Sequence, residues 1–112
     1  MTSQLCRTVY TDPNGQQRDW ESAERCTRPA GVDYDGVGII AVLERPGAPP
    51  ALLLQKQFRP PIGKVTIEVP AGLVDANETA EECALRELYE ETGYRGEIAA
   101  APKTSPIMFN DP

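Results

Sequence analysis

Residues 72–94, GLVDANETAEECALRELYEETGY, constrain the fold more than any other stretch, because they combine helix signals with seven acidic side chains and one arginine. Thr79 and Glu82 have the spacing of a capping box, which satisfies backbone donors at a helix start. Gly93 stands where a left-handed C-terminal cap would fall. The pattern predicts a helix over about residues 80–92.

One stripe of this predicted helix is unusual for a solvated acidic surface. At 100° per residue the stripe holds Ala80, Ala84, Glu87 and Glu91, with Leu88 beside it and Cys83 and Glu90 on its flank. The carboxylates of this stripe lie in line with small apolar residues, and that side of the helix should face the protein. At i+3 and i+4 spacings the carboxylates repel one another unless a cation lies among them. Oxygen-only ligands favour Mg²⁺, or alternatively Mn²⁺, which typically shares its coordination with waters and substrate phosphates.

The alternative is a solvated acidic helix without a metal. Charge runs usually mark such faces, and Arg86 then simply pairs with Glu90 at i+4.

Upstream of the acidic stretch, the chain reads as a scaffold of strands. Residues 5–11, a turn at residues 12–15 and an extended segment from about Gln17 predict an N-terminal hairpin. The apolar runs 36–44 and 51–58 predict two core strands buried on both faces. Residues 64–69 alternate as a third strand that Pro70 ends, and the loop after it should bring a backbone carbonyl close to the helix.

Trp20 leaves two interpretations open. Large aromatic side chains dominate cores and interfaces, which favours a packing anchor. Its polar neighbours also fit a ring that stacks on a purine, with Arg25 reaching a phosphate.

Composition excludes several classes of function. The 112 residues predict one small domain, and the net charge of −6 argues against a nucleic-acid partner. No apolar run approaches a membrane span and no signal-peptide pattern is present, which predicts a cytoplasmic protein, with the nucleus as the alternative. Three widely spaced cysteines without any histidine predict neither a disulfide framework nor a zinc site.

The spacing within the acidic stretch resembles the signature of the Nudix hydrolases. That signature, G-x5-E-x7-R-E-U-x-E-E-x-G-U with U aliphatic, is met at every fixed position, and only Tyr94 departs from it. Residues 56–61 and 68–75 resemble the ADP-ribose pyrophosphatase branch, and residues 20–22 resemble the N-terminal region of its eukaryotic ADP-sugar members.

The resemblance implies an α/β (α+β) fold, a Nudix-type mixed β-sheet with the Nudix loop and helix. Residues 1–35 would form a hairpin arm for dimerisation and adenine binding, and residues 36–112 a partial Nudix domain with its signature at 72–94. The implied reaction is metal-dependent hydrolysis of the pyrophosphate bond of ADP-ribose or a related ADP-sugar to AMP and a sugar phosphate. A homodimer exchanging the hairpin is implied as well.

The same resemblance assigns roles to individual residues. Glu87 and Glu91 would bind magnesium directly, Glu90 directly or through water, and the carbonyl of Ala71 would be another ligand. Glu78 and Arg86 would orient this cluster. The implied substrate-binding residues are Trp20 on the adenine, together with Glu21, Arg25, Arg59, Glu68, Ala71 and Leu73.

The chain stops where members of the family continue. Residues 104–109 read as the approach to a core strand, and the C-terminal half of the fold, with a loop carboxylate that acts as general base in relatives, is expected to be missing. The competing hypothesis is therefore a catalytically incomplete fragment that acts at most as a metal- or nucleotide-binding or dimerisation module.

Overall fold

The computed structural model of the chain describes residues 3–100. The chain begins with a long antiparallel hairpin of β1 (Ser3–Thr11) and β2 (Gln17–Arg25), as predicted. Asp12 organises the turn: its carboxylate accepts hydrogen bonds from the amides of Asn14 and Gln16 and from the Arg18 guanidinium. Gly15 completes the turn with a φ of 80°, a conformation that glycine adopts without steric cost.

Six shorter strands follow, and they pair as three further antiparallel ladders. They are β3 (Gly36–Gly38), β4 (Val42–Leu43), β5 (Ala51–Leu52), β6 (Gln55–Arg59), β7 (Lys64–Glu68) and β8 (Ala71–Leu73). The ladders join β3 to β8, β4 to β5, and β6 to β7. A short 3₁₀ turn, Pro60–Ile62, connects β6 to β7.

The single helix of residues 3–100, α1 (Ala80–Thr92), agrees with the predicted span. The Thr79 hydroxyl accepts a hydrogen bond from the Glu82 amide, while the Glu82 carboxylate accepts one from the Thr79 amide, so the capping box is confirmed. Gly93 ends the helix with a φ of 76°. These caps are local, which explains why the sequence predicts the helix ends well.

The small core lies between α1 and the β3–β8 ladder. Its buried residues include Ile39, Val74, Cys83 and Leu88, with Pro70 also fully buried. The Ile39 amide donates to the Pro70 carbonyl, and the Val74 amide donates to the Asp35 carbonyl, which extends the ladder at both ends.

The predicted pair of strands buried on both faces is wrong. The run 36–44 splits into β3 and β4, the run 51–58 splits into β5 and β6, and Ile40 and Val42 are 73% and 61% exposed. The reason is that α1 packs against β3 and β8, leaving the apolar side chains of the other ladders uncovered among residues 3–100.

The expected loop after Pro70 is likewise corrected, because residues 71–73 form β8 and pair with β3. The predicted strand at residues 104–109 lies outside the described residues, and the division at residues 35 and 36 stays a prediction. Within residues 3–100, no helix has the length and apolar character needed to cross a membrane.

Candidate functional site

Arg86 is the centre of the acidic cluster. Its Nε and Nη2 donate to the two carboxylate oxygens of Glu78 at 2.7 and 2.9 Å, a bidentate pair. Its Nη1 donates to Glu87 Oε1 at 2.8 Å and to Glu90 Oε2 at 3.3 Å. Nη2 also donates to the Leu73 carbonyl at 2.9 Å, so one side chain ties helix α1 to strand β8 and to the loop after it.

The geometry sets the charge states of this pair. Hydrogen bonds from Arg86, followed by one from the Asp75 amide, lower the pKa of Glu78 to about 2. Hydrogen bonds to Glu78 and Glu87 raise the pKa of Arg86. Both groups are therefore fully ionised at neutral pH, and the orienting role that the resemblance implied for them stays a prediction.

Glu87 is held against the backbone of Gly72. A Cβ atom placed on Gly72 would lie only 2.0 Å from Glu87 Cδ and 2.3 Å from its Oε1. The Glu87 side chain is 14% exposed, so helix α1 does turn this carboxylate toward the protein, as the stripe predicted. Any side chain at position 72 would therefore displace the Glu87 carboxylate from its place.

Glu91 reaches the same strand one residue earlier. Its Oε2 accepts a hydrogen bond from the Ala71 amide at 3.2 Å, which places the predicted ligands Ala71 and Glu91 side by side. Glu90 lies on the outer side of the helix, with 56% of its side chain exposed. The structure therefore gathers Glu87 and Glu91 over residues 71–72, with Glu90 at the rim.

The donor chemistry here fits a hard divalent cation, since carboxylate and backbone oxygens are its preferred ligands. Among residues 3–100, no three acidic or cysteine side chains already converge on one point in the manner of a complete protein cage. Mg²⁺ usually takes one or two carboxylates and fills its remaining positions with waters and phosphates. Glu87 and Glu91 would hold such an ion, with Glu90 approaching through water.

A second group lies across strands β6 and β7. Arg59 Nε and Nη2 donate to both oxygens of Glu68, at 2.8 and 2.6 Å, and the Thr66 hydroxyl donates to Glu68 Oε2 at 2.6 Å. Hydrogen bonds from Arg59 and then Thr66 lower the pKa of Glu68 to about 2. Two residues predicted to bind substrate are thus joined to each other by two hydrogen bonds.

The hairpin residues separate onto two faces. Trp20 is 63% exposed and stands opposite Thr8, while Glu21 stands opposite Arg7. Because successive side chains of a strand alternate, Trp20 projects from one face of β2, and Glu21 and Arg25 project from the other. Arg25 and Leu73 line a common cavity at the end of the hairpin.

Two supporting residues, Thr66 and Asp75, escaped prediction, whereas Cys83 lies on the flank of the predicted stripe. Thr66 lies two positions before Glu68, so strand alternation places it on the same face and was the available signal. Asp75 approaches Arg86 to 3.5 Å, a contact made by the loop that no spacing rule indicates. Cys83 is fully buried and its thiol donates to the Leu73 carbonyl; burial, reinforced by Glu78, raises its pKa to about 11, so it is a packing thiol.

Comparison with known proteins places this fold and site in a family. Residues 34–107 match the NUDIX domain, and the chain belongs to the Nudix family. It is 53% identical over 109 residues to the ADP-ribose pyrophosphatase of Saccharomyces cerevisiae, a match covering 96% of this chain and 46% of the relative. It is 45% identical over 106 residues to the ADP-sugar pyrophosphatase of Mus musculus, covering 95% and 47%.

A putative Nudix hydrolase of Caenorhabditis elegans is 46% identical over 99 residues, covering 88% of this chain and 43% of the relative. The chain spans about half the length of these curated relatives. The predicted resemblance to the Nudix hydrolases and the α+β Nudix-type fold class are confirmed.

Proposed function

We propose that this chain takes part in metal-dependent hydrolysis of the pyrophosphate bond of ADP-ribose or a related ADP-sugar, releasing AMP and a sugar phosphate. The proposal is carried by one observation: Arg86 holds Glu87 against Gly72 while Glu91 reaches the Ala71 amide. The names of the yeast and mouse relatives supply the substrate class.

A divalent ion, when bound, would neutralise pyrophosphate charge and lower the pKa of a coordinated water. The chain's own residues would place that ion. Glu87 and Glu91 would offer carboxylate oxygens beside the backbone of residues 71–72, and Glu78 would fix the Arg86 guanidinium so that Glu87 keeps one orientation. An acidic surface cannot attract a pyrophosphate by itself, so the sign of the local charge has to be inverted by the ion.

The substrate would be positioned by groups outside the acidic cluster. The exposed indole of Trp20 offers a flat surface on which an adenine could stack. Arg59 and Glu68 present a fixed pair of donors and acceptors, and Arg25 and Leu73 line the cavity at the hairpin end.

Replacing Glu87 by glutamine tests the proposal. The purified chain is incubated with ADP-ribose and Mg²⁺ or Mn²⁺, and AMP is quantified by chromatography with and without EDTA. We expect metal-dependent release that falls on the order of 100-fold in Glu87→Gln, because a neutral amide is a poor ligand for a hard cation. Glu81→Gln makes the same charge change at a half-buried position in the first turn of the same helix and should remain active. Release that survives EDTA, or that Glu87→Gln leaves intact, contradicts the proposal.

The second candidate is a binding or dimerisation module without turnover. Large apolar side chains of the outer ladders are uncovered within residues 3–100, Phe58 at 57% and Ile67 at 68% exposed, which favours a surface that other protein groups cover. Calorimetric binding of Mg²⁺ and ADP-ribose without AMP release would support this function over hydrolysis. Absence of both binding and release would contradict hydrolysis and ligand binding and would leave dimerisation as the remaining function.

A further inference from the structure

Thr66 occupies the middle of the face of β7 on which Arg59 and Glu68 meet. In the β6–β7 ladder Arg59 stands opposite Lys64, and Glu68 follows Lys64 by four residues along β7. Four residues of strand measure roughly 13 Å, so the two side chains have to lean toward each other in order to pair. Because strand side chains alternate, Thr66 lies midway between Lys64 and Glu68 on the same face.

The Thr66 hydroxyl has two acceptors within reach. It lies 2.6 Å from Glu68 Oε2 and 3.1 Å from the carbonyl oxygen of Gln57, its partner across the ladder. A hydroxyl carries one proton, and the shorter contact is to the charged acceptor, so the proton is donated to Glu68. Thr66 is half-buried, and its branched Cβ restricts the rotation that would turn the hydroxyl away.

Glu68 therefore accepts three hydrogen bonds from two side chains. Arg59 Nε and Nη2 donate one to each carboxylate oxygen, and Thr66 adds a second one to Oε2. The side chains of Arg59 and Glu68 are 46% and 28% exposed, and an exposed pair of long side chains can swing as a unit. The contact with Thr66 ties the carboxylate to the strand through a short side chain, which restricts that swing.

The Gln57 carbonyl gives the hydroxyl a second place to donate. When a donor of a ligand takes Glu68 Oε2, the Thr66 proton can turn to Gln57, so the half-buried hydroxyl keeps a hydrogen bond. Thr66 thus fixes Glu68 in the free chain without opposing an exchange of partners when a ligand arrives.

We infer that Thr66 is a positioning residue for substrate binding, which sets the orientation of the Glu68 carboxylate and, through it, of the Arg59 guanidinium. This inference rests on the proposed function, in which Arg59 and Glu68 bind the substrate. The hydroxyl of Thr66 bonds to Glu68 and Gln57 rather than to the acidic cluster around Arg86. Its loss should therefore weaken substrate binding and leave the chemical step unchanged.

Two measurements on the full chain test this role. AMP release from ADP-ribose with Mg²⁺ gives KM and kcat, and solvent exchange of the Arg59 Nε–H, followed by NMR, reports the Arg59–Glu68 bond without turnover. We expect Thr66→Val, which keeps the shape and removes the hydroxyl, to raise KM roughly 3- to 10-fold at unchanged kcat, the effect of one hydrogen bond. The Arg59 exchange should become faster, because Glu68 then accepts from Arg59 for a smaller share of the time.

Two further variants serve as controls. Thr66→Ser restores a hydroxyl and should recover most of both losses. Thr11→Val makes the same change at the exposed end of β1 and should alter neither KM nor the exchange rate.

The positioning role is overturned if Thr66→Val leaves either KM or the exchange rate unaffected, if the loss falls on kcat instead, or if Thr66→Ser restores neither value. Circular dichroism checks folding, and Thr66→Ala repeats the comparison if the valine variant does not fold. Absence of AMP release contradicts the proposed hydrolysis alone, and the Kd for ADP-ribose from titration calorimetry then replaces KM. An unmodified chain that binds no ADP-ribose would overturn the role of Thr66 as well.

Discussion

At the scale of a single residue, the absence of a Cβ atom at Gly72 leaves room for the Glu87 carboxylate. The Glu87 carboxylate occupies the space in which any other side chain at position 72 would begin. A flexible side chain can move away, so an added methyl group should displace the carboxylate and leave the backbone in place.

We therefore predict that Gly72→Ala lowers the affinity of the chain for Mn²⁺ on the order of 10- to 100-fold, the range typical when a ligand's support is lost. Thermal unfolding should change little. Gly38→Ala is the matched control in the paired strand, because its new methyl group would meet Val69 Cγ2 at an ordinary 3.7 Å. Titration calorimetry measures both variants; unchanged Mn²⁺ affinity in Gly72→Ala would show that the position of Glu87 does not depend on Gly72.

At the scale of elements, hydrogen bonds of Glu78 and Arg86 join strand β8, the loop after it and helix α1. The Glu78 carboxylate receives two bonds from Arg86 on the helix and one from the Asp75 amide in the loop. Its pKa of about 2 lies below its ordinary value near 4.5, so its stabilising contribution is complete above pH 4.5 and disappears as the pH falls toward 2.

Glu78→Gln should accordingly destabilise the chain by about 1–2 kcal/mol at pH 7, since it removes charge-assisted hydrogen bonds from a largely buried carboxylate. Urea denaturation at pH 7, 4.5 and 2.5 measures the effect. The difference from the unmodified chain should shrink at the lowest pH, because Glu78 is then protonated in the unfolded chain and close to its pKa of about 2 in the folded chain. A difference that is constant across this range would mean that the Arg86 pair does not link helix to loop.

Sequence reasoning worked at this scale where the determinants are local. The ends of α1 follow from Thr79, Glu82 and Gly93, and the first turn follows from residues 12–15. It failed where tertiary contacts decide: the apolar runs predicted continuous buried strands, but α1 covers β3 and β8 and leaves the others exposed. For Arg86, spacing favoured Glu90 at i+4, yet Glu78 offers shorter bidentate bonds from eight residues away.

Of the site residues, the stripe of α1 correctly indicated that Glu87 turns inward, because helical periodicity fixes that direction. Alternation along β2 could equally have shown that Trp20 and Glu21 project to opposite faces. The Arg59–Glu68 pair depends on the register of β6 against β7, which the short turn at residues 60–63 sets, and on an arginine side chain reaching across the ladder, which the sequence pattern does not indicate. The ligand assignments themselves stay predictions.

At the scale of the molecule, the hairpin is the part that most needs a partner. Leu5 is 91% exposed and Val9, on the same face, is 53% exposed, both on a two-stranded ladder. Isolated two-stranded hairpins are marginal in water, so burial of this face against a second copy would stabilise it. The homodimer that the resemblance implies stays a prediction, and this exposed face is where we expect its interface.

We expect analytical ultracentrifugation to find a dimer at micromolar concentration. Leu5→Glu should raise the dimer dissociation constant at least roughly 10-fold, because one buried leucine contributes about 1.5–3 kcal/mol. Gln4→Glu adds the same charge one residue away, on the opposite face of the strand, and should leave the dimer intact. A monomeric unmodified chain would contradict the hairpin's role in dimerisation.

The position of Trp20 has a consequence for spectroscopy. It is the only tryptophan of the chain, and its indole lies exposed on β2, away from the small core. Its fluorescence therefore reports the surroundings of the hairpin rather than the packing of α1 against β3 and β8. Quenching by a stacked base would be seen without any label and would register an event at the hairpin, whereas assembly through the opposite face, which carries Leu5 and Val9, should leave the emission wavelength unchanged.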